Sequence, residues 1–76
     1  MVRAFIMVKT AAGKSEELST AIRAETGVEE AHIVAGKYDI IAEVVGSEVY
    51  DVMQAVSTGI RDLDGVVDTR TYISLD

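Results

Sequence analysis

At 76 residues, with no cysteine and no proline, the chain has room for one domain, and a domain this small buries only about 60–65 % of its unfolded surface. Neither a disulfide nor a thiolate metal site can add stability, so self-association is the expected supplement. Apolar residues make up 49 % of the chain, which excludes a disordered protein, and the net charge of −6 opposes contact with phosphate backbones, so direct nucleic-acid binding is not expected.

In chain order, "VRAFIMVK" from Val2 to Lys9 alternates. Val2, Ala4, Ile6 and Val8 fall on one face and Arg3, Phe5, Met7 and Lys9 on the other, as in a strand buried on its first face. Phe5 and Met7 make the second face greasy too, which predicts that another subunit covers it. After "TAAGK", Ser15 is positioned to cap a helix whose first turn carries Glu16 and Glu17 and whose apolar stripe is Leu18, Ala21 and Ile22, with Gly27 beyond it as a stop.

"VEEAHIVAG", Val28 to Gly36, and "DIIAEVVG", Asp39 to Gly46, read as two strands joined by "GKY" into an antiparallel hairpin. Ser47 and Glu48 then open a longer helix through "SEVYDVMQAVSTGIRDL", striped by Val49, Val52, Met53, Val56, Ile60 and Leu63. Tyr50 is expected to cover the core edge. Gly59 inside this helix costs about 1 kcal/mol against alanine and signals a close contact or fraying there. "LDG" ends the helix and "VVDTRTYISL", Val66 to Leu75, is the last strand.

The order β-α-β-β-α-β, with right-handed crossovers, predicts an α+β ferredoxin-like sandwich: a four-stranded antiparallel sheet with two helices on one face. Its open face carries Phe5 and Met7, and a dimer through that face would cover them. No run reaches the roughly 20 apolar residues of a membrane span, and "MVRAFIMVKTAAGK" lacks the pattern of a secretion signal, so the expected location is the cytoplasm.

Catalysis needs a nucleophile, base or metal in a supported constellation, and the material for one is thin. His32 is the sole histidine, has no sequence-adjacent partner of metal-ligand spacing, and reads as a surface or satisfied residue. The six glycines form neither GxGxxG nor a P-loop, so no nucleotide cofactor is expected. What remains is Gly36, Tyr38 and Asp39 at the hairpin mouth and "DTRTY", Asp68 to Tyr72, on the last strand. Turn chemistry accounts for them in one way: Gly36 as a positive-φ residue, Asp39 as a turn cap, Thr69 and Thr71 as strand fillers. In the other, a carboxylate, hydroxyls and loop amides meet the needs of a free amino acid, whose ammonium wants an acceptor and whose carboxylate wants donors.

"GKYDII" resembles the Gly-x-aromatic-Asp-apolar turn, and "LDGVVDTRTYISL" the Leu-x-Gly-Val-x-x-Thr-x-Thr closing strand, of the carboxy-terminal effector module, the RAM domain, of the Lrp/AsnC (feast/famine) regulators. The resemblance spans essentially the whole chain, residues 1–76. It implies dimers formed through the sheets, assembly into octameric or decameric rings, and amino-acid effectors held between dimers near the hairpin. Carried over by position, Asp39 would partner the effector's ammonium, Gly36 would admit close backbone approach, Tyr38 would wall the pocket, and Thr69 and Thr71 would be secondary candidates. The regulators carry a helix-turn-helix domain ahead of this module. Here the chain starts at the first strand, so a stand-alone RAM protein is expected, reporting through assembly or through mixed oligomers with full-length regulators. Two other classes stay open: a dimeric α+β barrel enzyme using His32 or a tyrosine, and an ACT-like or ligand-free interaction module.

Overall fold

The computed structural model describes residues 1–76. Strand β1 (Val2–Thr10), helix α1 (Ser15–Arg23), strands β2 (Val28–Ile33) and β3 (Ile40–Gly46), helix α2 (Val49–Gln54) with a π-helical continuation (Ala55–Ile60), and strand β4 (Val66–Ile73) follow in the expected order. The sheet runs β2-β3-β1-β4, antiparallel throughout. Helices lie on one face only, which is the ferredoxin-like sandwich.

The period-two pattern of β1 is realised directly: Ala4, Ile6 and Val8 are fully buried, beside Ala31 of β2 and Ile40, Ala42 and Val44 of β3. Leu18 and Ile22 of α1, and Val52, Val56 and Ile60 of the second helix, close over them to complete one core. Ser19 is buried as well, its hydroxyl satisfied by donating to the Glu16 carbonyl at 2.9 Å. At the β2 edge, Arg23 donates from Nε and Nη2 to the Ala31 carbonyl at 3.1 and 2.8 Å, tying α1 to that edge.

Several local expectations are revised. Ser15 does not cap α1: the helix begins at Ser15 itself, the Leu18 amide bonds the Lys14 carbonyl at 2.9 Å, and the Ser15 hydroxyl pairs with that of Thr10 at 3.0 Å. In α2 the capping position belongs to Glu48, not Ser47, and the Asp51 carboxylate accepts from the Glu48 amide at 3.1 Å. This later start exposes Tyr50, which is 68 % accessible and does not cover the core.

The expected single helix over 47–63 changes pitch instead. The Thr58 hydroxyl donates to the Gln54 carbonyl at 2.7 Å, competing with the α-helical ladder, and the Arg61 amide bonds the Val56 carbonyl at 2.8 Å, five residues back. Gly59 does mark a close contact: a Cβ there would stand 2.7 Å from Glu25 Oε1.

The strands are also shorter at the hairpin. The β2–β3 connection runs from Val34 to Asp39, closed by the Val34 amide on the Asp39 carbonyl at 2.9 Å.

Gly46 ends β3 where α2 turns back over the sheet, and a Cβ there would lie 2.9 Å from the Asp51 Cβ and 3.3 Å from Val52 Cγ2. Neither neighbour is the free end of a flexible chain. Gly46→Ala is therefore expected to cost about 1–3 kcal/mol through overpacking. Thermal denaturation followed by circular dichroism at fixed protein concentration checks this, and an unchanged midpoint refutes it.

Candidate functional site

The hairpin mouth is held by β1. Asp39 donates its amide to the Val8 carbonyl at 2.9 Å and accepts the Thr10 amide on Oδ2 at 2.8 Å. Thr10 lies beyond the Val8–Ile40 pair that ends the β1–β3 ladder, so its amide takes the Asp39 side chain in place of a strand partner. One Asp39 oxygen is thus a structural staple, and the other makes no hydrogen bond within the chain. Lys9 reaches the Lys37 carbonyl at 3.4 Å along the same connection.

Gly36 is not a positive-φ residue; that conformation occurs at Gly13, Gly27 and Gly65. A Cβ at Gly36 would meet nothing within 4 Å. Within one chain, then, neither backbone conformation nor packing requires glycine at this exposed position.

Tyr38 turns to the open face of the sheet, where its hydroxyl accepts from Arg70 Nε at 3.1 Å. That hydrogen bond, followed by the charges of Tyr38 and Asp68, raises the Arg70 pKa above the ordinary arginine value. Thr69 and Thr71 face the other way. They stand opposite Val8 and Ile6 on the helix-covered side, half-buried, whereas Asp68, Arg70 and Tyr72 alternate onto the open side. The structure therefore groups Gly36, Tyr38 and Asp39 with Arg70 and Thr10, and separates them from the two threonines. Arg70 was missed as a candidate, although its parity with Asp68 and Tyr72 within "DTRTY" was there to read.

The open face itself is organised. Met7 lies between Ile41 and Arg70, and Phe5 between Glu43 and Tyr72, with Val45 opposite Arg3. Phe5, Met7, Ile41 and Val45 are only half-covered and Tyr72 is 59 % exposed. Around this apolar centre sit Arg3 bonded to both Glu43 and Glu29, and His32 paired with Glu30 at 2.9 Å. His32 is thus a surface residue with a carboxylate partner. Across the four strands, Arg3, Lys9 and Arg70 face Glu29, Glu30, Glu43 and Asp68, so this face is close to balanced while the whole chain is at −6. An apolar centre inside a polar rim is the anatomy of a protein interface.

No enclosed cavity lies at the hairpin; the one cleft of the isolated chain is elsewhere, at the opposite end of the sheet. A pocket at residues 36–39 would have to be completed by another chain.

Residues 3–76 match the family model described as the Lrp/AsnC ligand binding domain. The chain is 31 % identical over 61 residues, 80 % of its length, to the leucine-responsive regulatory protein of Haemophilus influenzae. It spans 37 % of that protein, and about a third of the length of the curated relatives it matches. Among solved structures, FFRP-DM1 superposes with a TM-score of 0.92 at 37 % identity, covering 99 % of this chain and 100 % of the other. The fold is shared with the Neisseria meningitidis transcriptional regulator NMB0573, crystallised with L-Met, at a TM-score of 0.86 and 19 % identity, over 99 % of this chain and 50 % of that one. No helix is long and apolar enough to cross a membrane.

Proposed function

Since the chain belongs to the Lrp/AsnC family, as its ligand-binding domain, we propose that residues 1–76 act as one RAM unit that senses a free amino acid in the cytoplasm and reports by assembly, without touching DNA itself. Dimers form through the open sheet face. Dimers then join into an octameric or decameric ring, and the effector sits between them at the hairpin. The net charge of −6 on these residues supports a role apart from nucleic acid. Mixed rings with full-length regulators follow from the same interface chemistry, and co-expression that yields only self-complexes would count against them.

The observation that carries this reading is Gly36. The chain spends a glycine at an exposed position that neither needs positive φ nor lacks room for a side chain, two residues before an aromatic wall and three before a carboxylate with one oxygen unengaged. Space kept clear from outside suits a neighbour or ligand that approaches the backbone. In the proposed pocket Asp39 receives the ammonium and Tyr38 forms a wall. Thr69 and Thr71 act from behind the sheet by shaping β4, since they face the helices. The named relatives are transcriptional regulators, which favours a binding module over an enzyme.

Calorimetry across the amino acids, alongside solution mass, tests the proposal, because a ligand bound only at an assembled seam must favour assembly. Asp39→Asn is the informative variant: the amide oxygen can still accept from Thr10 while the charge is gone. We expect affinity to fall at least about tenfold, the scale of one charge-assisted hydrogen bond, with the thermal midpoint nearly held. Full affinity in Asp39→Asn would refute the ammonium site.

A further inference from the structure

One side chain ties the open face of the sheet to the hairpin. Arg70 of β4 stands opposite Met7 of β1, with Asp68 and Tyr72 on the same face, and donates from Nε to the Tyr38 hydroxyl at 3.1 Å. Tyr38 makes no other side-chain hydrogen bond, and Arg70 Nη1 and Nη2 have no partner within the chain. The backbone next to Tyr38 is anchored separately, by the Asp39 amide on the Val8 carbonyl and the Asp39 carboxylate on the Thr10 amide. The place of the Tyr38 ring is therefore set at its base by β1 and at its tip by Arg70.

In the separate chain this hydrogen bond is exposed, so water competes for both groups and its net contribution is small. Covering the face changes the balance. A guanidinium carries donors only and keeps its charge, so burying it beside Met7 is costly unless acceptors come with it. Asp68 supplies opposite charge two residues away but makes no ion pair with Arg70. The acceptor already in place is the Tyr38 hydroxyl. Exclusion of water also strengthens a hydrogen bond that is already made. A contact of little weight in the monomer thus becomes a condition of assembly, and the residue it reaches belongs to the hairpin.

We propose that Arg70 is a positioning residue that couples the open face to the hairpin: when a second copy covers the face, the Arg70–Tyr38 hydrogen bond fixes the aromatic wall of the amino-acid pocket. This rests on the reading of the open face as the dimer interface and of residues 36–39 as the effector site. Linkage makes the coupling reciprocal, so an effector that needs Tyr38 in this position also favours the dimer. Arginine cannot accept, so the Tyr38 hydroxyl keeps its own hydrogen free, and fixing the oxygen limits where that donor can point.

Sedimentation equilibrium of the full chain, with no ligand added, tests the coupling through a double-mutant cycle. Tyr38→Phe keeps the ring and removes only the acceptor. It should raise the dimer dissociation constant at least about tenfold, the scale of one hydrogen bond to a charged group. In an Arg70→Met background, where no guanidinium needs an acceptor, the same change should move the constant less than about twofold. In Ile41→Glu, whose added charge on the open face keeps copies apart, Tyr38→Phe should leave the thermal midpoint unchanged, which a merely structural role would not do. The NMR signal of the Arg70 Nε–H group in the unaltered chain should shift between dilute and concentrated samples, and it decides even where a variant fails to fold. Equal losses in both Arg70 backgrounds, an unmoved constant in Tyr38→Phe, or an Arg70 signal indifferent to dimerisation would each overturn the coupling and leave the dimer and the pocket standing. A parent chain that stays monomeric throughout would overturn both.

Discussion

Ile41→Glu is expected to leave the protein folded but monomeric. Ile41 lies on the open face beside Met7 and His32, so its side chain is not part of the core packed under the helices. In a face-to-face dimer each copy would bury one new carboxylate. Its acidic neighbours on β2 and β3 include Glu30 and Glu43, so the new carboxylate adds like charge to this part of the face. An unpaired buried charge costs about 3 kcal/mol or more. Two per dimer raise the dissociation constant on the order of 10⁴-fold. Sedimentation or light scattering at micromolar protein should then report the monomer mass, with the far-ultraviolet spectrum preserved, and the amino-acid response should vanish with the assembly. A variant that still runs as the parent oligomer would show that copies meet through some other surface.

Ile6→Ala acts on the opposite face of the same sheet and is expected to destabilise the fold severely. Ile6 is fully buried at the centre of β1, opposite Ala42 on β3 and Thr71 on β4. Both strand neighbours are small, so little can collapse into the space, and the cost should lie in the upper part of the Ile→Ala range, about 4 kcal/mol. A chain of this length holds on the order of 4–11 kcal/mol in all. Urea unfolding at matched protein concentration, needed because assembly adds to apparent stability, should show the midpoint collapse. A loss under about 1 kcal/mol would mean that the core reorganises around residue 6.

The contrast between Ile6 and Ile41 shows what was readable beforehand. Alternation in β1 assigned faces correctly because a strand's period of two leaves no ambiguity once one buried residue is known. The second helix was harder. Its residues at 3–4 spacing suit several phases, and a start at Val49 followed by a π-turn selects Val52, Val56 and Ile60 while leaving Val49, Tyr50 and Met53 outside. Thr58 and Gly59 carried the signal for that change of pitch, but the reason for glycine at 59 is the contact with Glu25, more than thirty residues away.

At the hairpin, the unusual polar-aromatic make-up of residues 36–39 was legible from the sequence. The tie from Asp39 to Thr10 was not, because it depends on where the pairing of β1 with β3 stops. The facing of Thr69 and Thr71 followed from the same alternation that placed β1, and applying it to "DTRTY" singles out Arg70 instead.

The clamp of Arg23 on the Ala31 carbonyl bears on how far copies of this protein can multiply. A sheet whose outer rung is already taken by its own side chain offers a poor template for another strand. Lengthwise propagation, of the kind that produces fibrils, is hindered on that flank and must look to β4 alone; joined there, two molecules would present only clamped borders to the solvent. On that flank, stacking of faces is favoured over endless zippering of edges.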